Sequence, residues 1–184
     1  MGGFLEGEKV TLRGVRRDDL RSYREWLDNP KVTEYLEMGW RPTNEQDLET
    51  AFAALSGDAD NIAFVIVDRE SGDAVGVCGL YLISWVARRA QYNVLIGEPS
   101  AWNKGLGTEA LSLLLDYGFG VLNLESVNLG VNAENKRARR SYEKAGFMTE
   151  GLRRKFIFRN GQYYDMVVMS ILREEFMGDK GQGT

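Results

Sequence analysis

Apolar residues recur along this chain with two periods, and the switches between them lay out the elements. "KVTLRGV" alternates and predicts a first strand. "RRDDLRSYREWLDNP" then places Leu20, Tyr23 and Leu27 on one helical face, with Asn29-Pro30 as the stop. "TNEQDLETAFAAL" predicts a second helix, with Thr43 or Asn44 as its N-cap and Leu48, Phe52 and Leu55 on one side. Between the two, "KVTEYLEMGWRP" keeps neither period and reads as a loop or short helix carrying exposed aromatics. "NIAFVIVDRESGDAVGVCGLYLISW" is two strands about a turn at Ser71-Gly72-Asp73, and "RRAQYNVLIG" is a further strand. From Gly105 to Phe119, Leu106, Ala110, Leu113, Leu114 and Tyr117 return at steps of three and four and predict a helix. "SVNLGV" is a strand, and Asn135 to Ala145 a helix ended by Gly146. "FMTEGLRRKFIFRNGQYYDMVVMSIL" is a hairpin turning at Asn160-Gly161, a pair suited to the left-handed angles of a tight hairpin turn.

The order is β-α-α-β-β-β-α-β-α-β-β, about seven strands and four helices in one α/β (α+β) domain on a mixed sheet. No repeat or linker divides it. The domain is placed at 1–176, and the polar, glycine-rich residues 177–184 are expected to form a flexible tail.

Composition narrows the chemistry. The chain has no histidine, which excludes a Ser–His–Asp triad and a histidine-ligated zinc site; no metal is expected. Its one cysteine, Cys78, cannot form an internal disulfide and sits mid-strand, where a buried structural role outweighs a nucleophilic one. A net charge of −4 argues against nucleic acid as a partner. The N-terminal residues lack signal-peptide character, and no apolar run approaches the roughly 20 residues that span a bilayer. The expectation is a soluble, cytoplasmic protein with no membrane association.

The segment "EPSAWNKGLGTEALSLLLDYGFG" is the first carrier of function. Two glycines, Gly105 and Gly107, open directly into a helical pattern, and a helix N-terminus binds anions. A P-loop is excluded because no G-K-[ST] follows. Gly105, Gly107 and Ala110 fit a dinucleotide fingerprint literally, but the loop does not open off the first strand of the chain. The glycines could also serve only a tight turn and close packing.

A second segment, "NAENKRARRSYEKAGF" at 132–147, follows in order. Together the two resemble the GNAT family of N-acetyltransferases, and the resemblance runs from "VTLRGVRRDDL" to "DMVVMSIL". The loop, with Trp102 where Gln or Arg is commoner, is similar to the branch that acetylates ribosomal protein N-termini and small amines. "LDYGFGVLNLESV" through "RNGQYYDMVVMSI" resembles spermidine acetyltransferases.

The resemblance implies a mostly antiparallel sheet splayed in its middle, and acetyl-CoA as cosubstrate. Its pyrophosphate would meet the amides of Leu106, Gly107 and Thr108, beside Trp102, Asn103, Lys104 and Gly105. Its pantetheine arm would pair with the backbone of Val94, Leu95 and Ile96 on the strand Tyr92–Ile96. Asn132, Asn135 and Ala138 would line the arm, and Arg137 and Lys144 would steer phosphates. Tyr142 would protonate the departing thiolate in a direct transfer within a ternary complex. The glutamate of spermidine acetyltransferases in the strand before the loop is matched by Gln91, which cannot accept a proton; Glu34, Glu37, Asp165 or solvent must serve instead. The acceptor, a polyamine, an amino sugar or a peptide amine, would meet Glu34, Tyr35, Glu37, Met38, Trp40, Tyr81, Trp85, Gln91, Tyr163 and Tyr164. A homodimer is compatible with the family. The alternatives are a non-catalytic CoA-binding sensor or structural module, and a dinucleotide oxidoreductase.

Overall fold

The computed structural model describes residues 2–56 and 59–181. Strands β1 (Leu5–Glu6), β2 (Val10–Arg13), β3 (Ile62–Asp68), β4 (Ala74–Ser84), β5 (Arg89–Ile96), β6 (Ser126–Asn132), β7 (Met148–Arg159) and β8 (Gln162–Leu172) form one sheet. Their order is β1-β2-β3-β4-β5-β6-β8-β7. Every pair is antiparallel except β5 with β6. The helices are α1 (Asp19–Leu27), α2 (Pro30–Thr33), α3 (Glu45–Ser56), α4 (Leu106–Gly120), α5 (Lys136–Lys144) and α6 (Arg173–Gly181).

Strand alternation sends side chains to two cores. Phe64, Ile66, Cys78, Leu80 and Tyr92 pack with Leu106, Ala110, Leu111 and Leu114 of α4. Val65, Val77 and Leu95, on the opposite face, pack with Tyr23 and Trp26 of α1, Val32 of α2 and Leu48 of α3. Gly97 makes that second contact possible. A Cβ there would lie 2.0 Å from the Trp26 ring, so only a bare backbone can pass beneath the indole.

The α/β class holds, with eight strands and six helices in place of about seven and four. The additions have local causes. β1 is two residues long, too short to show a period. Asn29-Pro30, read as a stop, is also a start: Asn29 Oδ1 accepts from the Lys31 amide at 3.0 Å, and Pro30 occupies the first turn of α2. The inward residues of α1 are Tyr23 and Trp26, while Leu20 and Leu27 are half-buried. Asn44 is the cap of α3: its side chain accepts from the Asp47 amide at 2.9 Å, and its own amide returns a bond to Asp47 Oδ2 at 3.0 Å. α6 runs through the boundary expected at 176, anchored by Phe176 against Phe119 at 5.3 Å; residues 182–184 lie outside the described residues. The hairpin turn is as expected, with Asn160 at φ 52° and Gly161 at φ 78°.

Candidate active site

The parallel pair β5–β6 is short. Its register covers Arg89↔Ser126, Ala90↔Val127 and Gln91↔Asn128 only. Asn128 Nδ2 donates to the Ala90 carbonyl at 3.0 Å at that last rung. Beyond it, β6 continues along β8 to Asn132, while Tyr92 to Ile96 pair with β4 alone. The sheet therefore forks. One edge of Tyr92–Ile96, including Val94 and Leu95, offers main-chain groups without a strand partner.

The glycine loop closes over the mouth of this fork. Asn103 (φ 63°) and Gly105 (φ 85°, ψ 1°) are both left-handed, and this turn delivers the chain into α4. The amides of Leu106, Gly107 and Thr108, in the first turn, have no helical acceptor behind them. The Trp102 indole donates to the Ile96 carbonyl at 2.9 Å and ties the loop to the end of β5. Lys104 contributes its carbonyl to Lys9 Nζ at 3.4 Å. Glu109 carries no local sequence signal. Its carboxylate accepts from the amides of Glu8, Lys9 and Val10 at 2.9, 2.8 and 2.7 Å, fastening α4 to the β1–β2 turn. Only the fold brings those groups together.

α5 meets the loop from the other side of the fork. Arg137 lies over the Trp102 ring at 4.5 Å, and Thr108 Oγ1 shares a hydrogen bond with Ser141 Oγ at 2.9 Å. Asn135 caps α5 through the Ala138 amide at 3.1 Å. Asn132, buried at the end of β6, shapes the preceding turn by accepting from the Glu134 amide at 3.0 Å. Ala138 and Tyr142 face inward, while Lys144 stands exposed in the last turn.

Tyr142 sits edge-on to Tyr92 at 6.2 Å and against Phe147 at 5.9 Å. Burial pushes its phenol up to about 12, so it is protonated at neutral pH. The Tyr92 hydroxyl is buried with no hydrogen-bond partner. Burial also holds the Cys78 thiol well above its ordinary range, which opposes a nucleophilic role.

On the opposite face, Gln91 Nε2 donates to Asn93 Oδ1 at 3.3 Å, and Tyr81 pairs with Gln91 across β4–β5. The Tyr81 phenol is pushed up, mainly by burial and further by Cys78 and Tyr23. Glu34, Tyr35, Glu37, Met38 and Trp40 follow α2 in one segment. Arg159, at the end of β7, clasps that segment through Thr33 Oγ1 and the Leu36, Met38 and Gly39 carbonyls. Trp85 is not with them: it lies past the closed end of the fork, its indole donating to Asp60 at 3.0 Å. The Tyr163 ring packs on Phe158 at 4.8 Å, and the Tyr164 hydroxyl donates to Gln162 at 3.3 Å. Asp165 Oδ1 accepts from the Lys155 amide within the β7 bulge at 2.8 Å.

A cavity of about 400 Å³ beside the glycine loop is lined by Asp68, Asp73, Glu98 and Lys104 among others. Three carboxylates make it a poor host for a diphosphate. The dinucleotide reading also fails, because α4 follows the fork rather than opening off the first strand of a doubly wound parallel sheet. Among the described residues, no group of His, Cys, Asp and Glu has metal-site geometry, and no helix is long and apolar enough to cross a membrane.

Comparison with known proteins agrees with this geometry. A family model described as an acetyltransferase (GNAT) domain matches residues 9–148. A spermidine N(1)-acetyltransferase of Escherichia coli K12 is 35% identical, over 92% of this chain and 89% of that protein. A putative ribosomal N-acetyltransferase of Bacillus subtilis is 28% identical, over 77% of this chain and 73% of that protein. The crystal structure of spermidine N-acetyltransferase from Vibrio cholerae with CoA and spermine superposes with a TM-score of 0.83 at 30% identity, covering 93% of this chain and 99% of that one. A forked sheet, a glycine-entered helix across its mouth and a buried phenol on the neighbouring helix thus coincide with kinship along nearly the whole chain: it belongs to the GNAT family and is an acetyl-CoA-dependent N-acetyltransferase.

Proposed function

We propose that the chain acetylates a primary amine of a small polyamine, with spermidine as the representative acceptor, by direct attack in a ternary complex. The observation that carries this reading is the forked edge of β5 with the α4 N-terminus and Tyr142 gathered on it. Acetyl-CoA fits that arrangement. The open strand edge suits a run of amides, and the first-turn amides of Leu106, Gly107 and Thr108 suit a diphosphate. When bound, the cosubstrate supplies a thioester whose acyl carbon the amine attacks.

The chain's own residues do the rest. Val94, Leu95 and Ile96 align the arm along β5. Arg137, held over Trp102, presents positive charge at the loop without crowding it. Tyr142 keeps its proton and delivers it to the departing sulfur. Gln91 carries no charge to drive deprotonation, and Asp165 is turned by one of its oxygens to the Lys155 amide in the bulge. The ammonium proton therefore leaves to water near Glu34 and Glu37, both exposed. Those carboxylates, with Tyr35, Trp40, Tyr81 and Tyr164, suit a cationic acceptor. The relationship to spermidine acetyltransferases supports the polyamine over an amino sugar or a peptide amine.

An amine panel tests this. Thiol release from acetyl-CoA should depend strictly on added amine and be fastest with spermidine, ahead of glucosamine and a short peptide. Release with the peptide alone would refute the polyamine acceptor.

A further inference from the structure

Arg159 is the last residue of β7, and its guanidinium does not pair with any carboxylate among the described residues. It reaches instead to a segment more than a hundred residues earlier. Nη1 donates to the Met38 carbonyl at 2.6 Å and more weakly to Leu36 at 3.5 Å. Nη2 donates to Thr33 Oγ1 at 3.0 Å and to the Gly39 carbonyl at 3.3 Å. The receiving surface is shaped for this. Thr33 is buried and spends its own hydroxyl proton on the Asn29 carbonyl at 3.2 Å, so its oxygen is left to accept. Gly39 is left-handed (φ 73°), and a Cβ there would fall 2.6 Å from the Thr33 side chain, which forces the loop to turn here with glycine.

The segment is held at its two ends by Leu36 against the second core and by Arg41 paired with Asp47 at 2.7 Å. Past α2 it belongs to neither helix nor strand, and one cation supplies donors to three of its carbonyls. Between the clasped points stand Glu34, Tyr35 and Glu37, with Trp40 just beyond. We infer that Arg159 is a positioning residue for the acceptor: it fixes this segment against the β7–β8 hairpin, so that its carboxylates and aromatics form one wall of the amine site. The inference rests on the acceptor reading above. A fork of five donors is suited to several carbonyls at once, whereas lysine offers a single flexible ammonium.

The test is steady-state kinetics of Arg159→Ala and Arg159→Lys with spermidine and acetyl-CoA, alongside calorimetry with CoA and hydrogen exchange of residues 34–41. Loss of these charge-assisted bonds should raise the spermidine KM about tenfold or more in the alanine variant. CoA affinity should stay within twofold, the 34–41 amides should exchange faster, and lysine should recover part of the KM. An unchanged spermidine KM in both variants would overturn the inference, as would a parallel loss of CoA affinity that marks general unfolding. If alanine fails to fold, the lysine variant alone decides between these outcomes. A wild-type protein that acetylates other amines but not spermidine would refute the acceptor reading instead, and the same variants would then be measured with the amine that reacts.

Discussion

Gly105 and Gly107 stand two residues apart, yet the structure requires them for different reasons, and alanine at each separates the two. At Gly105 the backbone is left-handed, which costs an alanine about 1–2 kcal/mol. The new Cβ would meet only the far end of Lys9, at 3.4 Å, so strain and not collision sets the cost. For a chain of this length each kcal/mol lowers the melting temperature by roughly 2–4 °C, giving a fall of about 2–8 °C. Gly107 lies inside the first turn of α4 with no such strain, and its Cβ would make ordinary contacts with Ile96 at 3.4 and 3.6 Å. Helix propensity makes alanine there neutral to about 1 kcal/mol stabilising. The contacts of the fold give no reason for glycine at 107; the diphosphate proposed for the gap between α4 and the open edge of β5 does. Alanine keeps the amide, but a methyl that holds the phosphate off it forfeits one charge-assisted bond, about 1.5–3 kcal/mol, or roughly ten- to a hundredfold in Kd. Calorimetric melting without ligand, followed by CoA titration, reads both effects. Gly107→Ala should melt at or above wild type and bind CoA at least tenfold more weakly. A folded Gly107→Ala protein with wild-type affinity would refute the role given to this turn.

Two further outcomes follow from Tyr142. Tyr142→Phe should lower kcat by about a hundredfold, the lower range for a positioned acid, while leaving CoA affinity within twofold; equal kcat in the two proteins would remove the phenol from the reaction. The folded-state pKa of about 12 stands above the unfolded value of 10.0, so the native chain holds this proton longer. The resulting stability is full below pH 10 and is lost as pH rises toward 12. Denaturant midpoints should fall across that window, less steeply in Tyr142→Phe, and an identical fall in both proteins would contradict the assigned shift.

Sequence made visible what local chemistry decides. Asn160-Gly161 announced its turn, and Gly105 and Gly107 announced the start of a helix, because each signal lies within a few residues. The fork was expected only through resemblance, since strand periods do not record where two strands cease to pair. Trp102 was noticed, but its stacking under Arg137 depends on α5 arriving from the far side of the fork, and its indole bond to Ile96 on how the loop folds back over the end of β5. Glu109 and Arg159 gave no sign at all. Their partners lie about a hundred or more residues away, and most are backbone groups, which every sequence carries and none reveals. Trp85 shows the converse: an aromatic grouped with the acceptor residues for its type, which the β4–β5 register carries past the closed end of the fork.

The most direct measurement is a titration of nitrogen-15-labelled protein with CoA, followed through the backbone amide resonances. The expected result is saturable displacement of the Leu106, Gly107 and Thr108 amides, accompanied by the Tyr92–Ile96 edge and the first turn of α5. Saturation with those amides unmoved, and the shifts gathered instead around the carboxylate-lined cavity at Asp68 and Asp73, would contradict the placement of the diphosphate at the start of α4.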